Sequence, residues 1–452
     1  MSESPEPEDN GTSLSIKIVL FSLVACAVTG YFWYSTGNTI VAISCLLLQT
    51  VLVSIVIWQA CDPFADAAQY IGHELKLPGS VRGATLDAIA SSMPELFTGI
   101  FFVLLVVWGS DSEQLESASE MGSDEGFKAT IATCAGSAVY NMILIPAICA
   151  IFISRYRKSR PTIDVERRVI TRDGAWFVAM EVLLIGFLMQ KEIHWWMGAV
   201  FLVCYAVYVV VLYLDARIFK SRVVLVEKKI ESGLSVDESL QELRDSGVNV
   251  SRDLERRFRM AKNGEAEDDE DEYPESAGIL FGLFEIKLNQ LLAWTIVLIS
   301  TLIAAAACYW LVEITRETAA KLGIDVFFVA VILAAAASSV PDTFLSIGSA
   351  KSGDDDGAVS NAFGSNIFDI SICISVPLIV ACYLNGWEPI VIEQSGEIAG
   401  LQIMLAILTV ITLGVIWHKL QLTFGKAIFL CSLYVLFIAY AVLGSMGLFS
   451  GS

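Results

Sequence analysis

Between Lys17 and Asp62 the chain carries no charged side chain. That run, residues 18–61, is about 44 residues long, enough for two membrane-crossing helices of about 20 residues each. Gly37-Asn38 supplies a turn between them. In lipid a helix satisfies its own backbone groups, so a stretch like this restricts the chain to helical spans. The whole sequence follows suit, being 55% hydrophobic with a mean hydropathy of +0.63. Further charge-free runs cover 129–154, 193–214, 288–312, 398–417 and 427–452, and interrupted apolar segments lie at 80–108, 174–190, 324–350 and 357–384. The expectation is an all-α polytopic membrane protein with about eleven transmembrane helices.

Lysine and arginine orient such a chain. The segment 155–172 is strongly basic and the segment 217–262 is rich in Lys and Arg, whereas 110–125 and 385–397 carry acids and no Lys or Arg. The first pair is therefore expected in the cytoplasm and the second outside, with the N-terminus inside and the C-terminus outside. The tail before the first helix reads ESPEPEDN. A cleaved signal peptide needs a basic n-region, so residues 14–34 read as an uncleaved signal-anchor helix. The expected organisation is a tail and anchor over 1–36, a first repeat over 37–215, a cytoplasmic loop over 216–285 and a second repeat over 286–450. The membrane is the plasma membrane or an endomembrane.

Two segments duplicate each other and place carboxylates inside these spans. GATLDAIASSMPELFTG (83–99) and AVILAAAASSVPDTFLS (330–346) align on Pro94 and Pro341. They share Ala88/Ala335, Ala90/Ala337, Ser91/Ser338, Ser92/Ser339 and Phe97/Phe344, and each has an acid after the proline, Glu95 or Asp342. A carboxylate at the bilayer centre costs about 2.5–3.5 kcal/mol even on an insertion scale. Two at matching positions point to a cation site. Five helices separate the copies, so they cross the membrane in opposite directions, the arrangement that builds midplane binding sites. Both serine-proline stretches read as helix breaks, because proline removes a donor and frees the carbonyl one turn earlier. Each repeat also has a second arm, GSAVYN (136–141) or GSNIFD (364–369). Ser137 and Asn141, like Ser365 and Asp369, are four apart and share a helical face. Gly136 and Gly364 ahead of them are expected to allow close helix approach. The four arms together offer three carboxylates, one amide and the hydroxyls of Ser91, Ser92, Ser137, Ser338, Ser339 and Ser365. Such an all-oxygen set suits hard cations such as calcium and sodium.

On these motifs the sequence resembles the calcium/cation antiporter superfamily, most closely its potassium-dependent sodium/calcium exchanger branch. The resemblance spans both repeats, roughly 39–450. It implies two inverted five-helix repeats plus the anchor helix. It implies Glu95 and Asp342 as central calcium ligands, with Ser92, Ser339, Ser137, Ser365 and Asn141 in support and Asp369 beside them. An acid at the position of Asp369 is associated in the family with potassium dependence. The chain departs from the family pattern at Leu345, where a hydroxyl is usual, at Asp87, usually apolar, and at Arg82, usually small. The expected activity is a secondary antiporter exchanging calcium for sodium, with potassium co-transport, by alternating access. The runner-up is a calcium/proton exchanger using Asp87 and Glu95, and a cation channel stands third. A channel usually needs several equivalent subunits around its pore, whereas this chain contains its own paired halves.

Other charged residues have structural readings beside the functional ones. Asp87 lies on one line with Ser91 and Glu95; it either extends the site or pairs with Arg82. Glu181 sits in mid-span with no partner visible in the sequence, as a structural contact or a transport residue. Asp354–Asp356 read as a solvated loop that attracts cations. The run EAEDDEDEYPE (265–275) accounts for much of the net charge of −20; a block of like charge reads as a solvated tail and lacks the spacing of a calcium loop. The ten cysteines are scattered singly, without a CxxC pair, and are expected to pack as small apolar residues. His73, His194 and His418 fall near segment ends, away from any proton relay. No phosphate loop, catalytic triad or hydrolase motif is present, so the chain does not read as an enzyme. Its expected partners are calcium, monovalent cations and lipid, with no nucleic acid and no cofactor.

Overall fold

A computed structural model of the chain describes residues 24–25, 27–32, 38–75, 86–109, 123–158, 160–248, 250, 254–255, 258–259, 274–279, 283–392 and 396–446. The first repeat contains α1 (Thr39–Glu74), α2 (Ala88–Gly109), α3 (Ser123–Val139), α4 (Ile145–Tyr156), α5 (Ala175–Leu188) and α6 (Trp195–Glu231). A shorter helix α7 (Val236–Asp245) follows. The second repeat contains α8 (Gln290–Leu322), α9 (Val326–Val329), α10 (Ala335–Ser338), α11 (Val340–Ser352), α12 (Asp355–Phe368), α13 (Ser375–Leu384), α14 (Gly396–Trp417) and α15 (Phe424–Ser445). Among the described residues eight helices are long and apolar enough to cross a membrane. The bent pair Val326–Ser338 and Val340–Lys351 makes nine. The two further spans expected from the sequence fall on the shorter helical stretch through α5 and on an N-terminal helix of which 24–25 and 27–32 are described.

The ends of these helices follow from local chemistry. Asn38 and Asn289 begin α1 and α8, their side chains accepting from Ile40 N at 3.0 Å and Leu292 N at 2.9 Å. A side-chain oxygen there satisfies one of the orphan donors of the first turn. Gly323 closes α8 at φ +68°, a left-handed conformation that glycine adopts without a Cβ clash. The lipid-facing surfaces stay apolar: Val203, Leu298, Val410 and Val435 on α6, α8, α14 and α15 are each at least 60% exposed.

The repeats match in detail. α3 and α4 are joined by a π-turn at Tyr140–Leu144, and α12 and α13 by one at Asp369–Cys373. Another π-turn, Ala330–Ala334, precedes α10, and residues 86–87 take the same geometry before α2. The extra residue of a π-turn re-aims the side chains that follow. One expectation needs correction. The break at Ser339 is present, with a 41° bend, but α2 runs unbroken through Pro94. Proline there costs a hydrogen bond without interrupting the helix, because neighbouring helices hold both halves in line.

Three two-stranded ribbons complete the described fold. β1 (Ile163–Asp164) pairs antiparallel with β6 (Gln421–Leu422), and β2 (Glu192–Ile193) with β5 (Ile390–Val391). They tie the loops of one repeat to those of the other, at opposite ends of α5. β3 (Ser276–Ile279) and β4 (Phe284–Lys287) form a local hairpin. One hydrophobic cluster packs α1 and α8 against α2 through Ile57, Phe64, Met93 and Leu311, and a larger one holds the remaining helices together. A third lies between the repeats, where Val223, Val226, Leu240, Leu243, Leu254 and Phe258 pack around α7. Part of the segment expected as a loop is therefore folded. Among the described residues nine cysteines are free and most of them are buried, as small apolar residues would be. Arg82, residues 83–85, most of 265–275 and the chain ends lie outside the described residues.

Candidate functional site

The second arm of each repeat lies against the first arm of the other. Ser92 Oγ and Ser365 Oγ are 2.7 Å apart, and Ser137 Oγ and Ser339 Oγ 2.8 Å. These two contacts are related by the exchange of repeats. Gly136 makes the approach possible: a Cβ on it would run into the Val331 carbonyl and lie 2.7 Å from Ala335 Cβ. Gly364 has open space around it, so the expectation of a matching close approach there is not met.

Around the serine contacts stand the three acids. Ser365 Oγ donates to Asp342 Oδ2 at 2.9 Å, and Asn141 Nδ2 donates to the same oxygen at 3.1 Å. Ser137 Oγ lies 2.9 Å from Asp369 Oδ2 and 3.2 Å from Glu95 Oε1, and Ser339 Oγ lies 3.2 Å from that same Glu95 oxygen. Asn141 also reaches Ser365 Oγ and Ser137 Oγ. Ser338 adjoins Glu95 and Ser91 adjoins Asp342, so each proline-linked acid is flanked by a serine of the opposite repeat. Both of these serines also point at carbonyls of their own helices, at 3.2 Å for Ser338 and 3.5 Å for Ser91; the second distance is too long to hold a hydroxyl. Glu95, Asp342, Asp369, Asn141, Ser92, Ser137, Ser339 and Ser365 are all fully buried.

The donors are fewer than the acceptors. A serine has one proton, so Ser137 can donate to only one of its three neighbours at a time. Glu95 Oε2, Asp342 Oδ1, Asp369 Oδ1 and Asn141 Oδ1 are buried with no hydrogen-bond partner. None of the three acids forms an ion pair among the described residues. Nor, among the described residues, do three acids, histidines or cysteines converge tightly enough to cage a metal by themselves. The set is mixed instead: carboxylate oxygens, an amide oxygen and hydroxyls, converging from four helices. Unpaired buried oxygens cost free energy that a desolvated cation would offset.

All the site residues expected from the two repeated motifs meet here except Asp87. That side chain is half-buried two turns before Glu95 and accepts from Gln69 Nε2 on α1 at 2.9 Å. Asp354–Asp356 also differ from expectation. Asp354 caps α12, accepting from Gly357 N at 2.8 Å. Asp355 is clamped by Arg157 and accepts from Asp164 N at 3.0 Å, and Asp356 accepts from Glu166 N at 2.5 Å. They are structural anchors, not a solvated attractor. Glu181 is buried on α5, with no hydrogen bond to the central cluster.

Thr98, which keeps in the first repeat the hydroxyl that Leu345 lacks in the second, lies one turn after Glu95, fully buried with its hydroxyl unpartnered. Other participants escaped the sequence reading. Asn361 donates to Ser346 Oγ at 2.9 Å and supports the Asp342 carbonyl from 3.4 Å. Its spacing was a usable signal, since Asn361, Ser365 and Asp369 form an i, i+4, i+8 line. Tyr140 Oη accepts from Thr343 Oγ1 at 3.3 Å beside Asp342. That pairing joins two repeats and has no local signature.

Comparison with known proteins agrees with this architecture. The sodium/calcium exchanger protein family matches residues 45–214 and 292–443. The chain is 26% identical over 404 residues to human sodium/potassium/calcium exchanger 5, covering 80% of this chain and 74% of that protein. It is 20% identical to mouse sodium/potassium/calcium exchanger 4, covering 86% and 79%. Among solved structures, the H+/Ca2+ exchanger CAX superposes with a TM-score of 0.55 at 12% identity, covering 96% of this chain and 94% of that one. Native YfkE gives the same TM-score and covers 94% and 99%. These two share the fold. The chain belongs to the sodium/calcium exchanger family.

Proposed function

We propose that this chain is a secondary antiporter that moves calcium against sodium through the buried oxygen cluster, with Glu95 and Asp342 as the principal calcium ligands. The observation that carries this reading is the acid-rich, cation-free chemistry of the cluster. Three carboxylates and one amide each leave one buried oxygen without a hydrogen-bond partner, and the local countercharge must come from bound ions. Ser92, Ser137, Ser339, Ser365 and Asn141 complete the shell, and Ser91 and Ser338 supply hydroxyls from the opposite repeat. Asp369 provides a third negative charge, one more than calcium neutralises. A potassium ion alongside calcium would balance it, as the names of the relatives suggest for those proteins. Leu345 removes a hydroxyl from the potassium shell, and the buried Thr98 hydroxyl remains in the first repeat.

Alternating access follows from electrostatics. An empty, multiply charged cluster resists occlusion in low dielectric. Calcium, with or without potassium, or several sodium ions remove that resistance and let the bundle rock past the site. Reuse of one set of oxygens by both ion loads makes the two fluxes obligatorily opposed. A calcium/proton exchange would draw on Asp87, which here is engaged by Gln69 two turns from Glu95.

The orientation proposed is cytoplasmic for the N-terminus and for the segment between repeats. Calcium-45 uptake into vesicles under an imposed sodium, potassium or proton gradient tests the function. Sodium-driven uptake is expected; uptake driven by protons alone, or uptake without any opposing gradient, rejects the sodium antiporter.

A further inference from the structure

We infer that Glu181, with Thr409 and Thr412, forms a second binding site for a monovalent cation, separate from the central cluster and lying between α5 and α14. The geometry begins with Gly174, just before α5. A Cβ on it would lie 3.1 Å from Leu413 Cδ2 of α14. α5 and α14 run antiparallel, because β1–β6 joins the start of one to the end of the other and β2–β5 joins the remaining two ends. Glu181 is seven residues past Gly174, and Thr409 is four residues before Leu413. At 1.5 Å rise per residue, those offsets leave their Cα levels about 4.5 Å apart. A helical side chain leans toward its own N-terminus, which closes the gap and brings the carboxyl to Thr409.

The polar atoms at this interface are unsatisfied. Glu181 is 97% buried, from a relative exposure of 3%, and its Oε1 has no hydrogen-bond partner. Thr409 Oγ1 and Thr412 Oγ1, adjacent on one face of α14, are buried and equally unpartnered. Thr98 apart, the other described membrane threonines do not behave this way. Thr50, Thr133, Thr315 and Thr318 each donate to the carbonyl four residues earlier, at 2.7 to 3.0 Å. That back-bond is the ordinary fate of a threonine in a helix. Thr409 and Thr412 forgo it: Thr409 stands at the lone carboxylate, and Thr412 lies one turn further along the same face of α14.

The donor set selects the ligand. One carboxylate neutralises one positive charge, and two neutral hydroxyls add none. A divalent ion would leave an uncompensated charge in the membrane interior, whereas an alkali ion leaves the site neutral. An ionisable residue inside the membrane marks a functional site by default, and among the described residues no cationic side chain pairs with Glu181.

The test uses the full chain purified in detergent. With the central cluster disabled by Glu95→Gln, Asp342→Asn and Asp369→Asn, the unfolding midpoint is compared in sodium, potassium and choline at constant ionic strength. Sodium or potassium should raise the midpoint over choline. The two arms identify the preferred ion, and adding Glu181→Gln should abolish the rise while Thr409→Val reduces it. A parallel measurement needs no disabled cluster: sodium-22 or rubidium-86 bound at saturation should fall by one ion per chain from wild type to Glu181→Gln. Equal midpoints in all three salts, a rise that survives Glu181→Gln, or unchanged ion binding would overturn the proposal. A midpoint that follows pH alike in all salts would also overturn it, since the carboxyl would then hold a proton.

Discussion

Two groups of buried acids in this chain have opposite surroundings. At one end of the bundle, Asp355 is met by Arg157, and Asp173 by Arg172 Nε at 2.7 Å, with Ser360 Oγ donating at 2.7 Å. In the centre, Glu95, Asp342 and Asp369 meet only serine hydroxyls and one amide. Both groups are carboxylates removed from water. The first carries its countercharge in the chain, so it can hold helices together but has nothing left to bind. The second has no cationic side chain beside it among the described residues, and the proposed cation supplies the countercharge. Burial of an acid therefore does not by itself mark a transport residue; the reading proposed for the central acids rests on the absence of a cationic side chain beside them.

The sharpest way to break this comparison is to neutralise one acid of the central group. Glu95→Gln and Asp342→Asn should each reduce sodium-driven calcium flux to background while the protein still reaches the membrane in normal amount. Each change keeps shape and deletes one ligand charge, on whose number calcium binding depends. Near-normal flux in either variant would move the site elsewhere.

The paired group should respond in the other quantity. Arg157→Ala leaves Asp355 without its partner, and stranding one half of a buried pair costs about 3–5 kcal/mol. Thermal unfolding and membrane yield should drop, while flux per folded molecule is largely kept. A variant of full stability and no flux would place Arg157 in the transport path and erase the distinction drawn here.

The two glycines extend the comparison to packing. Gly136→Ala forces a Cβ against the Val331 backbone, and displacement of α3 should cut flux at least about tenfold, since shifts near 1 Å in a positioned site carry losses of that order or more. Gly364→Ala enters open space and should leave flux within about twofold, helix propensity even favouring alanine. Equal effects at both would mean the repeats approach each other differently from the contacts described.

Asp369→Asn should have a narrower consequence. It removes the surplus negative charge and with it any potassium requirement, leaving partial sodium–calcium exchange. Calcium flux from sodium-loaded vesicles, with potassium replaced by choline outside, separates the cases. If wild-type flux ignores potassium, Asp369 serves sodium or a proton. The smallest effect is expected at Asp87→Asn, which keeps a hydrogen-bond acceptor for Gln69 Nε2 and should leave flux within about twofold at every pH tested. A large loss there would draw Asp87 into the ion path.

The sequence alone determined the solvent, the duplication and the central acids. Charge-free runs such as 18–61 exclude every backbone arrangement but the helix. The shared serines, prolines and acids mark matching positions whatever the packing. Asn141 and Asp369 were legible because spacing by four is enough to set a helical face. The break at Ser339 was legible too, but its counterpart at Pro94 was not, since proline's lost bond bends a helix only if neighbours allow it. Tertiary structure decided which acids keep an unmet charge. Asp355 finds Arg157 198 positions away, Asp87 finds Gln69 across α1, and Ser137 finds Asp369 232 positions away. Gly136 is crowded and Gly364 is not, although each directly precedes a serine of the cluster. Local sequence sets backbone geometry and the side chains on offer. Pairing within a low-dielectric interior depends on which helix faces meet, and only the packed bundle specifies that.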